Sequence, residues 1–178
     1  MSPKRGFGTR PLFLLAVLAA GAGYAQDVPF LESPEYIVEA MLDLAEVTAD
    51  DIVYDLGSGD GRIVIAAAAT RNATAVGIES DPELIELSNK MAHEAGVTES
   101  VRFIEGDFFE TDFSEATVVA IYLYPEVNRK LKPLFLEQLA PGTRIVSHRY
   151  EIGGWTPDKR IKVGDRNVFL YVIPEPEN

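Results

Sequence analysis

Cysteine is absent from the 178-residue chain, and only two histidines, His93 and His148, are present. The absence of cysteine excludes disulfides and thiolate ligands, and the scarcity of histidine means that no metal site is expected. Basic residues are also few, since 16 lysines and arginines stand against 28 acidic residues and the formal net charge is −12. Such a charge repels nucleic acid phosphates, so we expect no nucleic acid partner and favour a basic protein or a small amine. Solubility alone is the other interpretation of this charge.

Residues 1–25 have the pattern of a secretory signal peptide. Three basic residues and no acidic residue accompany an apolar run over residues 11–20, and small residues at 23 and 25 suit cleavage before Gln26. The run is too short to span a bilayer comfortably. We therefore expect an exported protein, periplasmic or secreted, whose residues 26–178 form one monomeric domain. An uncleaved N-terminal membrane anchor is the alternative. Without residues 1–25 the charge becomes −15, because 13 basic residues remain against 28 acidic ones.

Residues 53–65 combine a buried strand, a glycine turn and the start of a helix. The glycines at 57, 59 and 61 allow a tight turn that presents backbone N–H groups to a ligand. Dinucleotide sites have the spacing G-x-G-x-x-G, whereas here Arg62 occupies the place of the third glycine. Asp55, at the end of the strand, suits a ligand with a positive ammonium group better than a pyrophosphate. An NAD-linked oxidoreductase is therefore the least favoured function.

The rest of the chain alternates strands and helices. Ser33 is predicted as the N-cap of a first helix, and Asp81 as the cap of a later one. Further strands are predicted at 75–79, 101–105, 116–124 and 143–149, followed by a hairpin over 159–163 and 167–173. The pattern predicts an α/β fold, Rossmann-like, with a mostly parallel sheet and a C-terminal antiparallel hairpin at its edge.

Acidic and aromatic residues follow the predicted strand ends. Glu79 lies at the position where doubly wound folds place an acid that binds ribose hydroxyls. Asp107, after the third strand, can accept a hydrogen bond from an adenine amino group, and Phe108 can cover the ring. Because ligands bind beyond the carboxyl ends of the strands, we expect one cleft to be shared by Asp55, Glu79, Asp107, Tyr124 and Arg149.

On these residues the chain resembles class I S-adenosylmethionine (SAM) dependent methyltransferases. More narrowly, it resembles the small lysine-specific enzymes related to those that modify the mitochondrial ATP synthase and the ADP/ATP carrier. The fold also resembles that of histone lysine methyltransferases without a SET domain. The matching stretches are 53–65, 106–107, 122–125 and 146–149. The resemblance implies a SAM-dependent methyltransferase domain over residues 26–178. It also implies that the cofactor is held by Asp55, Gly57, Ser58, Gly59, Asp60, Gly61, Glu79, Asp107 and Phe108.

The acceptor is less well defined. Enzymes that methylate base or amide nitrogens commonly carry Asn/Asp-Pro-Pro-Tyr/Phe after the fourth strand, whereas this chain has Tyr122-Leu-Tyr-Pro. The difference argues against nucleic acid amines, and the resemblance implies an amine acceptor, with protein lysine preferred. Tyr122 and Tyr124 are predicted to line an acceptor slot, and His148 is predicted to accept a proton, with simple packing as its alternative. A small-molecule methyltransferase and a catalytically silent SAM-binding protein stay open.

Overall fold

The computed structural model describes residues 32–176, so the predicted signal peptide lies outside the described residues. Within that range the chain forms four helices and seven strands. In chain order they are α1 (Glu35–Leu44), β1 (Ile52–Leu56), α2 (Arg62–Arg71), β2 (Thr74–Glu79), α3 (Pro82–Glu94), β3 (Val101–Glu105), β4 (Val118–Ile121), α4 (Pro125–Gln138), β5 (Arg144–His148), β6 (Lys159–Val163) and β7 (Arg166–Val172). None of these helices is long and apolar enough to cross a membrane.

All seven strands belong to one sheet in the order β3-β2-β1-β4-β5-β7-β6. The first five in sequence are parallel, and the β6–β7 hairpin joins β5 in antiparallel orientation at the edge. This arrangement confirms the predicted fold class. The strand order reverses between β1 and β4, and ligand sites of open α/β sheets lie beyond the carboxyl ends of the strands at such a point.

Apolar side chains cover both faces of the sheet, as expected for buried parallel strands. One core joins α1 and α2 to the face that carries Val53 and Val118. The other joins α4 to the opposite face through Leu131 and Phe135. The sheet is therefore held rigidly between two helical layers, and the loops at its carboxyl edge are free to form a site.

The fourth strand is shorter than predicted. It runs only from Val118 to Ile121 rather than over 116–124, because its pairing with β1 and β5 ends there. Tyr124 has left the sheet and is the N-cap of α4, with Pro125 as the first helical residue. The prediction was too long because aromatic residues such as tyrosine favour strands. Here Tyr122 and Tyr124 instead follow the strand, at the carboxyl edge of the sheet. The α4 helix continues through Pro133 as a single element.

The prediction for Ser33 is wrong. Helix α1 begins at Glu35 with Pro34 at the N-cap, and no side chain caps it. The Ser33 hydroxyl instead lies 2.8 Å from Nδ1 of His148, on the fifth strand. That strand also ends one residue earlier than predicted, because Arg149 has a left-handed backbone with φ of 70°. Asp81 does cap α3, as predicted, by accepting a hydrogen bond from the Glu83 N–H at 2.9 Å.

Candidate active site

The glycine loop between β1 and α2 is fastened to the end of the neighbouring strand. The N–H groups of Gly57 and Ser58 donate to the carbonyl oxygen of Ile78 at 2.9 and 3.0 Å. Gly61 has a φ of 78°, and a Cβ atom there would lie 2.5 Å from Cζ of Phe103. Only glycine fits this position, because a side chain would be both strained and in collision. The loop therefore exposes backbone rather than side chains.

Three carboxylates surround this loop. Asp55 is buried, with 2% of its surface exposed, and burial followed by the charges of Glu79 and Asp60 raises its pKa well above the ordinary value. No hydrogen bond from the described residues is among the causes of that shift. A positively charged ligand would relieve both the desolvation and the repulsion, whereas a pyrophosphate would add to the repulsion. These three carboxylates thus fit SAM, which carries a net positive charge.

Glu79 holds the loop in place and keeps room for a ligand. Its Oε2 accepts a hydrogen bond from the Gly59 N–H at 3.0 Å, and its Oε1 accepts from the N–H groups of Ser80 and Asp81 at 2.8 and 3.0 Å. A carboxylate offers about four acceptor positions, so Oε2 can accept one bond more. This is the atom that would receive a ribose hydroxyl.

Asp107 and Phe108 lie on the next loop of the same sheet edge. Oδ1 of Asp107 accepts from the Phe109 N–H at 2.8 Å, which holds the carboxylate at the start of a turn. The Phe108 ring is buried, and its Cε1 is 3.7 Å from the place a Cβ of Gly57 would take. The structure therefore brings the predicted adenine residues beside the glycine loop.

A group of contacts around Arg62, which the sequence did not predict, joins the start of α2 to the segment before α1. Nε of Arg62 donates to both oxygens of Asp60, at 2.9 and 3.1 Å, and its Nη1 donates to the Ser33 carbonyl oxygen at 3.1 Å. Glu32 forms a further salt bridge to Arg62 at 3.1 Å. The two-residue spacing of Asp60 and Arg62 is a local signal of their pairing, but nothing local indicates Ser33. The Ser58 hydroxyl, by contrast, is buried and finds no partner within residues 32–176.

Aromatic rings gather beyond the ends of β4 and β5. The Tyr122 ring is 4.0 Å from the His148 ring, centroid to centroid. Tyr150 lies 6.4 Å from Tyr122 and 6.2 Å from Tyr124 and completes a group of three, which we call the tyrosine group. Leu123, which lies between Tyr122 and Tyr124 in the chain, packs against the glycine loop, since its Cδ2 is 3.0 Å from the position that a Gly57 Cβ would take. Sequence analysis missed Tyr150, which directly follows the matched stretch 146–149.

His148 lies beneath the tyrosine group rather than at its surface. It is fully buried, and burial, then the charges of Arg166 and Arg149, lower its pKa to about 4. Nη1 of Arg166 faces Nε2 of His148 at 3.4 Å. A guanidinium only donates, so the ring proton belongs on Nδ1, which donates it to Ser33 Oγ. The ring is therefore neutral at pH 7 with both nitrogens engaged, which favours its packing alternative, and its role as a proton acceptor stays a prediction.

The strand order, the glycine loop with its buried acid and the carboxylates that follow β2 and β3 define a class I SAM-dependent methyltransferase. More narrowly, the chain belongs to the family of the ANTKMT methyltransferase domain, whose model matches residues 55–159. The predicted family resemblance, methyltransferase class and SAM cofactor are thereby confirmed.

Two curated relatives illustrate this membership. A protein-lysine N-methyltransferase of Saccharolobus islandicus is 49% identical over 157 residues, which cover 85% of this chain and 98% of the relative. The adenine nucleotide translocase lysine N-methyltransferase of Mus musculus is 33% identical over 146 residues, which cover 82% of this chain but only 63% of the mouse protein.

A solved structure is also similar. It is described as an RNA methyltransferase from Salinibacter ruber in complex with S-adenosyl-L-homocysteine, the demethylated form of SAM. It superposes with a TM-score of 0.81 at 51% identity and covers 83% of this chain and 97% of that one. Its description names a different acceptor from the curated relatives.

Proposed function

We propose that this protein transfers a methyl group from SAM to the side-chain amine of a protein lysine. The observation that carries the proposal is the tyrosine group beyond β4 and β5, two of whose members flank Leu123, the side chain that packs against the glycine loop. Aromatic rings can pack against the aliphatic part of a lysine side chain and exclude water from its amine. The archaeal relative named as a protein-lysine methyltransferase supports the same acceptor, because its alignment spans nearly the whole of that protein.

The cofactor positions follow from the contacts at the glycine loop. Asp55 would receive the ammonium group, Oε2 of Glu79 a ribose hydroxyl and Asp107 the adenine amine, with Phe108 against the ring. When bound, SAM supplies a methyl group made electrophilic by the positive sulfonium. The buried Asp55 would then ionise, because a neighbouring positive charge lowers the pKa of a carboxyl group.

The chain's own contribution is alignment and desolvation. A lysine amine has a free pKa of about 10.4 and must release its proton, here to solvent as the side chain enters the site, before its nitrogen can attack. Removal from water between the rings of Tyr122 and Tyr124 disfavours the charged form and lowers that pKa. Holding two reactants in line can supply roughly 7–11 kcal/mol of the barrier. Neutral His148 would act here by supporting the Tyr122 ring at 4.0 Å.

The first experiment is calorimetric titration of residues 26–178 with SAM, with NAD as the control ligand, for the native protein and Asp55→Ala. Methyl-labelled SAM is then supplied with protein extracts, and labelled residues are identified by mass spectrometry. Saturable SAM binding that the variant loses, with label on lysine, supports the proposal. Label on a small molecule, or binding without transfer, would replace it with one of the two alternatives.

RNA methylation is a second candidate, favoured by one observation. The Salinibacter structure described as an RNA methyltransferase is 51% identical to this chain. Against it stands the net charge of −15 after residue 25, which repels phosphates. Methyl-labelled SAM is supplied with a mixture of RNA and protein, and the labelled product is then treated with protease or with ribonuclease. If protein is the acceptor, protease removes the label from the macromolecular fraction and ribonuclease does not. We expect this result.

We further propose that the protein is exported and works as a monomer. The support for export is the composition of residues 1–25, which lie outside the described residues. The intact mass of the protein purified from its native host tests the cleavage, since removal of the segment leaves Gln26 at the N-terminus. Light scattering of residues 26–178 measures the molar mass in solution. A retained N-terminus or a dimeric mass would contradict the respective proposal.

A further inference from the structure

A polar cavity opens beside the tyrosine group. Its volume is about 290 Å³, and it is lined by Arg149, Tyr150, Asp165, Arg166 and Asn167. It lies where the loop after β5 meets the turn between β6 and β7. Because Tyr150 belongs both to this cavity and to the tyrosine group, a polypeptide whose lysine enters the group would place a neighbouring residue in the cavity.

The cavity is lined by the two arginines of residues 32–176 that form no salt bridge. Eight arginines lie within residues 32–176, and six of them form salt bridges to Asp or Glu side chains. Arg149 and Arg166 are the two of the described residues that do not. Arg149 donates a hydrogen bond to the Tyr122 side chain and Arg166 faces His148, but a guanidinium has five N–H donors, so both arginines keep donors for a carboxylate supplied from outside.

The backbone holds Arg149 in a costly conformation at this place. Its φ is 70°, which few residues other than glycine adopt. Its N–H donates to the Asn167 carbonyl oxygen at 2.7 Å, and the Tyr150 N–H donates to the His148 carbonyl oxygen at 2.8 Å. The guanidinium lies 5.5 Å from the centroid of the Tyr150 ring. Strain of this kind persists where its surroundings enforce it, and it is concentrated at functional sites.

We propose that this cavity binds a carboxylate side chain of the acceptor polypeptide, close in sequence to the lysine that is methylated. The inference rests on the proposed function and adds the kind of sequence that is selected. Two guanidinium groups and the single carboxylate of Asp165 leave one net positive charge, which matches one Asp or Glu. Arginine also pairs with carboxylates through two parallel hydrogen bonds, which makes the contact directional. An arginine or lysine at the same place would be repelled.

The test is a set of synthetic peptides with one central lysine. At each flanking position an acidic residue is compared with its amide, Asp with Asn and Glu with Gln, and transfer from labelled SAM is measured. We expect the acidic peptide to have a KM about tenfold lower at one or two positions, since a hydrogen bond between charged groups commonly contributes that much. This preference should disappear in Arg166→Gln and in Arg149→Gln.

Arg160→Gln is the matched control. Arg160 lies on the same hairpin but pairs with Glu151 and packs over Phe169, outside the cavity. It should keep the acidic preference. The SAM dissociation constant and the melting temperature of the three variants show whether they fold and bind the cofactor as the native protein does. Arg166→Lys should keep part of the preference, because lysine keeps the positive charge but cannot form the two parallel hydrogen bonds of a guanidinium.

The outcomes separate the two proposals. Transfer to lysine without an acidic preference, or with one that the cavity variants keep, would overturn the inference and leave the proposed function intact. If a variant does not fold, the native protein's preference and the Arg166→Lys variant still decide the question. Saturable SAM binding without transfer to any lysine, in peptides or in protein extracts, would remove the proposed function and this inference together.

Discussion

Replacing Asp55 with asparagine should strengthen the ligand-free fold while it weakens cofactor binding. The pKa of the buried carboxyl is raised by desolvation and by the charges of Glu79 and Asp60. A folded-state pKa above the unfolded value means that stability is fully present below the unfolded pKa and is lost as the pH rises through the folded pKa. Asparagine has nearly the same shape as the protonated carboxyl and cannot ionise, so the variant escapes that loss.

The size of the effect follows from the burial of Asp55, of whose surface 2% is exposed. An uncompensated buried polar group costs about 1–3 kcal/mol, and more when it is charged. For a domain of this size about 1 kcal/mol shifts the melting temperature by about 2–4 °C. We therefore expect Asp55→Asn to melt roughly 2–12 °C higher than the native protein at pH 7. The difference should shrink toward zero as the pH falls to about 4, where the unfolded carboxyl also becomes protonated.

Cofactor binding should change in the opposite direction. Loss of a hydrogen bond between two charged groups costs about 1.5–3 kcal/mol, so SAM should bind about 10–150 times more weakly. Thermal melts with and without SAM at several pH values, together with calorimetry, measure both effects. Asp50→Asn, at an exposed carboxylate, is the control and should alter neither. A ligand-free Asp55→Asn that melts at or below the native temperature at pH 7, or one that keeps native SAM affinity, would refute the reasoning.

Three further predictions concern other parts of the site and its frame. Gly61→Ala should destabilise the fold by about 1–2 kcal/mol for the left-handed backbone and about 1–3 kcal/mol for collision with the Phe103 ring, and a native melting temperature would contradict this. Burial raises the pKa of Asp51, but its hydrogen bonds and its pairing with Arg144 outweigh burial and lower that pKa. Asp51→Asn should therefore reduce the free energy of unfolding by about 3 kcal/mol at pH 7 and by less below about pH 4. Denaturant titration at the two pH values measures the difference. Tyr124→Ala should lower turnover about 10–100-fold with unchanged SAM affinity, whereas Tyr124→Phe keeps the ring and most of the activity; unchanged turnover in both would exclude the aromatic slot.

The residues proposed to bind the cofactor could be predicted because their signals are local in the sequence. The glycine spacing, the acid before it and the acids after the next two strands each follow from residues that are neighbours in sequence. Their convergence needed only the rule that parallel strands share one carboxyl edge, and the interactions of Glu79 with Gly59 and Asp55 agree with it. The fold class was predictable for the same reason, because strand and helix periods are local properties of the chain.

The surroundings of the tyrosine group, where the acceptor is proposed to bind, could not be predicted in the same way because they depend on contacts between distant residues. Ser33 has the local chemistry of a helix cap, but its hydroxyl meets His148, which is 115 residues away. The apolar run 116–124 predicted a longer strand, because nothing local shows where pairing with β1 and β5 ends. Pairing depends on neighbouring strands, so only the tertiary structure could decide which tyrosines lie beyond the sheet.

The amino-acid sequence by itself determined the sheet, the glycine loop and the methyltransferase class. The tertiary structure decided that His148 is buried, that Tyr150 joins two other tyrosines and that Arg149 and Arg166 face one cavity. The physical reason is that the pKa, exposure and pairing of a side chain depend on the groups around it. Those groups come from β4, β5 and the β6–β7 turn, which meet only when the sheet has formed.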